Sequence, residues 1–198
     1  MKKVSRLLMA ALLAGCAGCF SSSAPDSRAW LVAPRTDLPQ PAAPEGGAAF
    51  AATRLGVVNV CAPYDRAPFV IRRADGSVAF DAYNVFASAP NLLLRAPMRS
   101  RLQADGRFGH VVASSSAAAA DAQVEVTVTD LSLDCRDSSK RTARAAVSLD
   151  VVKSGRGPRD VALVGSGAGE ADASAGDYSA AFSAAFDAAV AEALRSLK

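Results

Sequence analysis

The C-terminal stretch constrains the fold more than any other part of the chain. From Asp177 to Lys198, the residues Tyr178, Phe182, Phe186, Val190, Leu194 and Leu197 recur at helical spacing, with Ala181, Ala185, Ala189 and Ala193 beside them. Residues three and four apart share a helix face, so this spacing predicts an amphipathic helix with large side chains along one flank and methyls along the other. Asp177 or Gly176 suits its N-cap, and Arg195 and Lys198 suit the negative end of its dipole. Such a helix draws its stability from packing on another apolar surface. The preceding segments must supply that surface.

They read as strands. Leu55 to Ala62 (LGVVNVCA) is β-branched and apolar and stops at Pro63, the pattern of a buried strand. Phe69–Arg73 and Val78–Phe86 flank Ala74-Asp75-Gly76-Ser77, a hairpin signal. Phe108–Ser114 is a short strand. In Gln123–Cys135, Val124, Val126 and Val128 occupy one face, and Leu131, Leu133 and Cys135 then fall on the other phase. A bulge near Thr129-Asp130 restores a common facing. Thr142–Lys153 and Val161–Ala171 follow as strands, the latter weakened by glycines and separated from its predecessor by the turn Ser154–Asp160. A first helix opens at Pro90, carries Leu93, Leu94, Met98 and Leu102 at helical spacing, and stops at Gly106. Pro97 falls inside it, where a proline costs stability and kinks the axis. The order predicts an α+β domain: a mostly antiparallel sheet with two helices packed on one face.

Ahead of this domain lie two segments of different character. Met1–Gly15 carries Lys2, Lys3 and Arg6, then the short apolar run Leu7–Leu13, then small residues, which is a secretory signal too short to span a bilayer. Leu13-Ala14-Gly15-Cys16 matches a lipobox, which makes Cys16 the expected acylated residue; Ala17-Gly18-Cys19 is a weaker second candidate because Cys16 stands where a large aliphatic is usual. Two or three acyl chains at about 0.8 kcal/mol per buried methylene give a stable anchor. Residues 16–53 are rich in Pro, Ala and Ser and read as the lipidated N-terminus and an extended tether, and residues 54–198 as the periplasmic domain. Within the tether, Ala29-Trp30-Leu31-Val32-Ala33 is an apolar island suited to an edge strand that Pro34 ends.

Charge and chemistry narrow the function classes. Without Lys2, Lys3 and Arg6, basic and acidic side chains both number 19, a balance that argues against nucleic-acid binding. The chain has one histidine, His110, and no GxSxG motif, which argues against metal sites built on histidine and against serine catalysis. Gly165-Ser166-Gly167 with Gly169 lacks the lysine of a phosphate loop and reads as a flexible strand end. Glu125, Asp130 and Asp134 share the polar face of one strand and read as solvated. The expectation is a protein that is not an enzyme and holds no cofactor or metal beyond covalent lipid.

Three groups of residues are candidates for other roles. Cys61 and Cys135 end strands in a chain expected to meet an oxidising compartment; they read either as a disulfide closing a long loop or as two core thiols. Tyr64, Phe69, Phe80, Tyr83 and Phe86 crowd into a short stretch and read either as core beneath the hairpin or as a partner-docking surface, where aromatics are enriched. Arg95 and Arg99, with Arg72 and Arg73, fit a solvated face or contacts with lipid phosphates or an acidic partner.

The pattern as a whole resembles the ABC-type transport auxiliary lipoprotein family, the PqiC-like lipoprotein component of MCE-type lipid transport systems. The likeness rests on the lipobox and Trp30-Leu31, on Leu55–Gly76 with Tyr64-Asp65-Arg66 and Val70-Ile71-Arg72, on Asp81-Ala82-Tyr83-Asn84 with Phe86 and Pro90, on Arg101–Phe108 (RLQADGRF), and on the alanine-rich final helix. The resemblance implies a lipid-anchored auxiliary subunit on the periplasmic face of the outer membrane, with the inner membrane as the alternative. It implies docking onto an MCE-domain protein and its ABC permease, and assembly into a homo-oligomer. The alternatives are a periplasmic lipid-binding lipoprotein and a pilot or assembly lipoprotein of another envelope complex.

Overall fold

The computed structural model describes residues 26–37, 48–154 and 160–198. Eight strands and three helices follow in the order β1 (Arg28–Trp30), β2 (Phe50–Val60), β3 (Pro68–Arg73), β4 (Val78–Phe86), α1 (Pro90–Leu93), α2 (Arg95–Asp105), β5 (Phe108–Val112), β6 (Ala122–Cys135), β7 (Thr142–Lys153), β8 (Val161–Asp172) and α3 (Tyr178–Ser196). The class is α+β, with the helices on one face of a single sheet. β2 begins at Phe50, four residues before the expected boundary, and β1 adds an edge strand from within the expected tether.

β6 organises the sheet. One edge pairs antiparallel with β7 along almost its whole length, and β7 pairs antiparallel with β8. The other edge is shared: Ala122–Val128 pairs with β2 and Ser132–Cys135 with β3, both parallel. β5 extends the sheet beyond β2, and β4 and then β1 extend it beyond β3. The long antiparallel ladders carry most of the register, while the parallel pairs were not visible in the hydrophobic pattern. The predicted bulge is present: the register with β7 shifts between Val128 and Asp130. It keeps Val124, Val126, Val128, Leu131 and Leu133 buried on the helix side despite their change of phase.

The helix expected from Pro90 to Gly106 is interrupted at Leu94 and restarts at Arg95. Pro97 therefore sits in the first turn of α2, where its missing N–H has no intrahelical partner to lose. Gly106 ends α2 in the left-handed conformation at φ 81°, which glycine adopts without steric cost. Asp177 caps α3 by accepting the Ala180 N–H at 3.0 Å.

α3 meets the sheet by two different means. Its aromatic flank, Tyr178, Phe182 and Phe186, is buried with Phe69 and Phe86. The Phe69 ring lies 4.6 Å from Phe86 and 4.9 Å from Phe182, centroid to centroid. Its alanine flank lies on β8, where a Cβ at Gly165, Gly167 or Gly169 would strike the carbonyl oxygen of Ala193, Ala189 or Ala185 respectively. Two strand residues advance about 6.7 Å and four helical residues about 6 Å, so the two repeats stay nearly in step along the seam. These glycines, expected as a flexible strand end, lie within a strand paired along its length and permit close backbone approach. Ser196 closes the seam: its Oγ accepts the Ser166 N–H and donates to the Ser166 carbonyl, both at 2.9 Å.

Candidate functional site

Strand alternation divides the five clustered aromatics. Phe69 and Phe86 point to the helix side and are fully buried. Val70 pairs with Phe80, and Arg72 with Val78, placing these residues on the face of the sheet away from the helices. Phe80 and Val78 are 47% and 54% exposed there. Tyr64, in the loop between β2 and β3, is half-buried, and its hydroxyl accepts a hydrogen bond from Arg72 at 2.9 Å. Arg66 from the same loop lies over the Phe80 ring, 5.5 Å from its centroid, a cation–π arrangement.

Tyr83 reaches the surface by a separate device. The β3–β4 register shifts between Pro68 and Val70, leaving extra residues on β4. Asp81 holds this irregularity: Oδ1 accepts the N–H of Tyr83 at 2.8 Å and of Asn84 at 3.0 Å, while Oδ2 accepts from Asn84 Nδ2 at 2.9 Å. Asn84 Oδ1 in turn accepts from the Trp30 indole at 3.0 Å, tying β1 to the irregular segment. Tyr83 is thereby left 50% exposed. Val78, Phe80 and Tyr83 thus give β4 an apolar outer surface, and the Asp81–Asn84 segment that shapes it was noticed in the sequence only as a motif. A short polar side chain accepting N–H groups two and three residues on is an Asx-turn signal, and Asp81-Ala82-Tyr83-Asn84 carries it.

The carboxylates expected to be solvated are engaged instead. Asp130 accepts from Arg72 at 2.8 Å and from Ser132 at 2.7 Å. Arg144 bridges Asp134 at 3.2 Å and Glu170 at 2.7 Å, joining β6, β7 and β8 across the helix-free face. Hydrogen bonds from the Arg136 side chain, with Arg144 adding to them against the opposing effect of burial, hold the Asp134 carboxyl well below the usual carboxylate range. Gln123 donates to Glu125 at 3.0 Å. Arg72 is committed to Asp130 and Tyr64, so it does not join Arg95 and Arg99, which lie on α2 on the other side of the sheet. His110 is exposed on the edge strand β5.

Cys61 and Cys135 are both free thiols, which corrects the disulfide reading. The Cys61 N–H binds the Val128 carbonyl, and Cys135 lies seven residues farther along β6. Seven residues of strand span roughly 23 Å, against the α-carbon separation of about 7 Å or less that a disulfide requires. Burial pushes the Cys135 thiol pKa up, away from reactivity. The expected acylation residue Cys16 and its neighbour Cys19 lie outside the described residues.

Sequence reasoning missed a second cluster. After β1 the chain crosses α3 and α2. Ser179 donates to the Leu31 carbonyl at 2.7 Å, the Ala33 N–H binds Ser183 Oγ at 2.9 Å, and Ser100 donates to the Arg35 carbonyl at 3.2 Å. Asp187 receives Arg35 at 3.2 Å and Arg101 at 2.9 Å. Beside this crossing lies a groove of about 610 Å³ whose lining includes Arg35, Asp37, Asp177 and Asp187. A Pro-rich stretch gives no periodic signal, so the docking of Arg35 was not legible. Among the described residues no helix is long and apolar enough to cross a membrane.

No protein-family model and no curated protein matches the chain. The chain is similar to the crystal structure of protein XCC0632 from Xanthomonas campestris, of family DUF330, with a TM-score of 0.56 at 15% identity, covering 86% of this chain and 90% of that one. A crystal structure of an uncharacterized protein aligns at a TM-score of 0.46 and 16% identity, over 73% of this chain and 81% of that one. The architecture built on β6, with its helices on one face, is therefore similar to the fold of a DUF330 protein over most of both chains.

Proposed function

We propose that this chain is a lipid-anchored periplasmic auxiliary subunit of an ABC/MCE-type intermembrane lipid transport system, held by acyl chains on Cys16 at the outer membrane. It acts by tethering and docking and catalyses no reaction. The carrying observation is the outer surface of β4, where Val78, Phe80 and Tyr83 are each about half exposed beside the Arg66–Phe80 contact. Aromatic side chains next to an arginine are the composition enriched in protein interfaces. Asp81 and Asn84 fix the backbone beneath Tyr83, so the surface is preorganised and association orders less of the chain. The sequence resemblance supports an MCE-domain protein with its permease as the partner, and the lipobox supports the membrane anchor.

The Gly–Ala seam weighs against a carrier. α3 approaches β8 too closely for a single added methyl, which leaves no room for an acyl chain along that line. Affinity purification of the detergent-solubilised protein, with mass spectrometry of proteins and lipids, tests the proposal. Recovery of an MCE-domain protein with its permease, lost in Phe80→Ser/Tyr83→Ser, is the expected result. Stoichiometric lipid without a protein partner would instead favour the carrier and overturn the docking role.

A further inference from the structure

The proposed tether does not behave as one continuous spacer, because part of it belongs to the fold. β1 pairs with β4, the Trp30 ring stands edge-on to Tyr178 at 5.3 Å, and Val32 is 3% exposed. Beyond Val32, the crossing continues through Ala33–Ser183, Arg35–Asp187 and Arg35–Ser100. Polar groups on α2 and α3 thus hold backbone and side chain of the crossing segment at several successive points. Docked chain contributes nothing to reach. Only chain length between an anchor and Arg28 counts toward the distance to a membrane.

We infer that Arg28–Asp37 is a strap that sets how far the domain stands from the membrane. The inference rests on acylation at Cys16. Cys16 precedes Arg28 by 12 residues and Phe50 by 34. At no more than about 3.5 Å per residue, the docked strap limits the span from Cys16 to the domain to roughly 40 Å, whereas a tether free as far as β2 would allow roughly 120 Å. With the strap in place the domain stays beside the leaflet that holds its anchor. Chain length added between Asp37 and β2, both of which are docked, then has no bearing on the standoff.

That asymmetry gives a test that leaves the strap and the core intact. The acylated full chain is placed in a supported phospholipid bilayer, and neutron reflectometry measures the gap between the bilayer and the protein layer. A Gly/Ser insert of about 20 residues, with a root-mean-square span of roughly 25 Å, is placed either between Ser22 and Ser23 or between Pro41 and Ala42. The expected result is an outward shift of roughly 20 Å for the first insert and none for the second. Equal shifts for both inserts would overturn the strap, because they require free chain on both sides of it. Mass spectrometry of the same samples reports on Cys16: a chain that reaches the membrane fraction without acylation there removes the premise, and the standoff reading falls with it.

Discussion

The two flanks of α3 hold the sheet by opposite means. On the aromatic flank, Tyr178 meets Phe69, and Phe182 meets Phe69 and Phe86, with ring centroids 4.9 to 5.6 Å apart. The stabilisation there comes from large side chains and the area they remove from water. On the alanine flank, glycines of β8 let helix and strand backbones approach, and the contact depends on side chains that are missing. One helix therefore has a flank that truncation damages and a flank that addition damages. This is why its sequence combines aromatic residues with an uninterrupted series of alanines.

Truncation should have the larger effect. Phe182 is 1% exposed and touches two other rings. Phe182→Ala is expected to cost about 3–5 kcal/mol in urea unfolding, the range for removing a buried phenylalanine. A loss below about 1 kcal/mol would mean that the aromatic cluster is not the main hold on α3. Addition comes next. Gly167→Ala places a methyl against the Ala189 carbonyl and should cost about 1–3 kcal/mol. Ala168→Val, one residue along and exposed, should stay within about 0.5 kcal/mol of the parent. Equal behaviour of the two variants would dissolve the distinction between the flanks.

The helix-free face offers a smaller and pH-dependent effect. Asp134 is paired with Arg136 and Arg144, which depress its pKa in the folded chain. A carboxylate with a depressed folded pKa contributes stability above its unfolded pKa of about 3.9 and loses that contribution as pH falls below it. Asp134→Asn should therefore be less stable than the parent by about 1 kcal/mol at pH 7, as for a favourable surface ion pair. The difference should shrink as both are titrated from about pH 5 downward. A difference that persists unchanged at low pH would show that the side chain acts through packing and not charge.

These regions also differ in how far the sequence disclosed them. The α3 stripe, the Asp177 cap, the bulge at Thr129-Asp130 and the edge strand at Trp30 all follow from local periodicity or turn chemistry, and all are present. Parallel pairing of β6 with both β2 and β3 is set by long-range register, to which a hydrophobic pattern is blind. Gly165, Gly167 and Gly169 were misread because a strand glycine looks like weakness until the helix against it is known. Among the aromatics, composition marked the cluster, but only the β4 register separates exposed Phe80 and Tyr83 from buried Phe69 and Phe86. Arg35 and Asp187 are 152 residues apart, and nothing local announces their contact.

The smallest expected effect separates α3 from the pair α1–α2. α3 runs unbroken for 19 residues, while the earlier helical segment restarts at Arg95. Read as one continuous helix, that segment places Pro97 in an interior, where proline costs about 3 kcal/mol or more and replacement should stabilise by a similar amount. Restarted at Arg95, it places Pro97 where no intrahelical hydrogen bond is lost, and the Met98 N–H still reaches the Leu94 carbonyl at 3.1 Å. Pro97→Ala is accordingly expected to change stability by about 1 kcal/mol or less. Gln103→Pro, in the exposed interior of α2, should cost about 3 kcal/mol or more. A large gain from Pro97→Ala in urea unfolding would mean that the break at Leu94 is imposed by the proline. A near-zero change would assign the break to the surroundings of Leu94, which is fully buried at the joint.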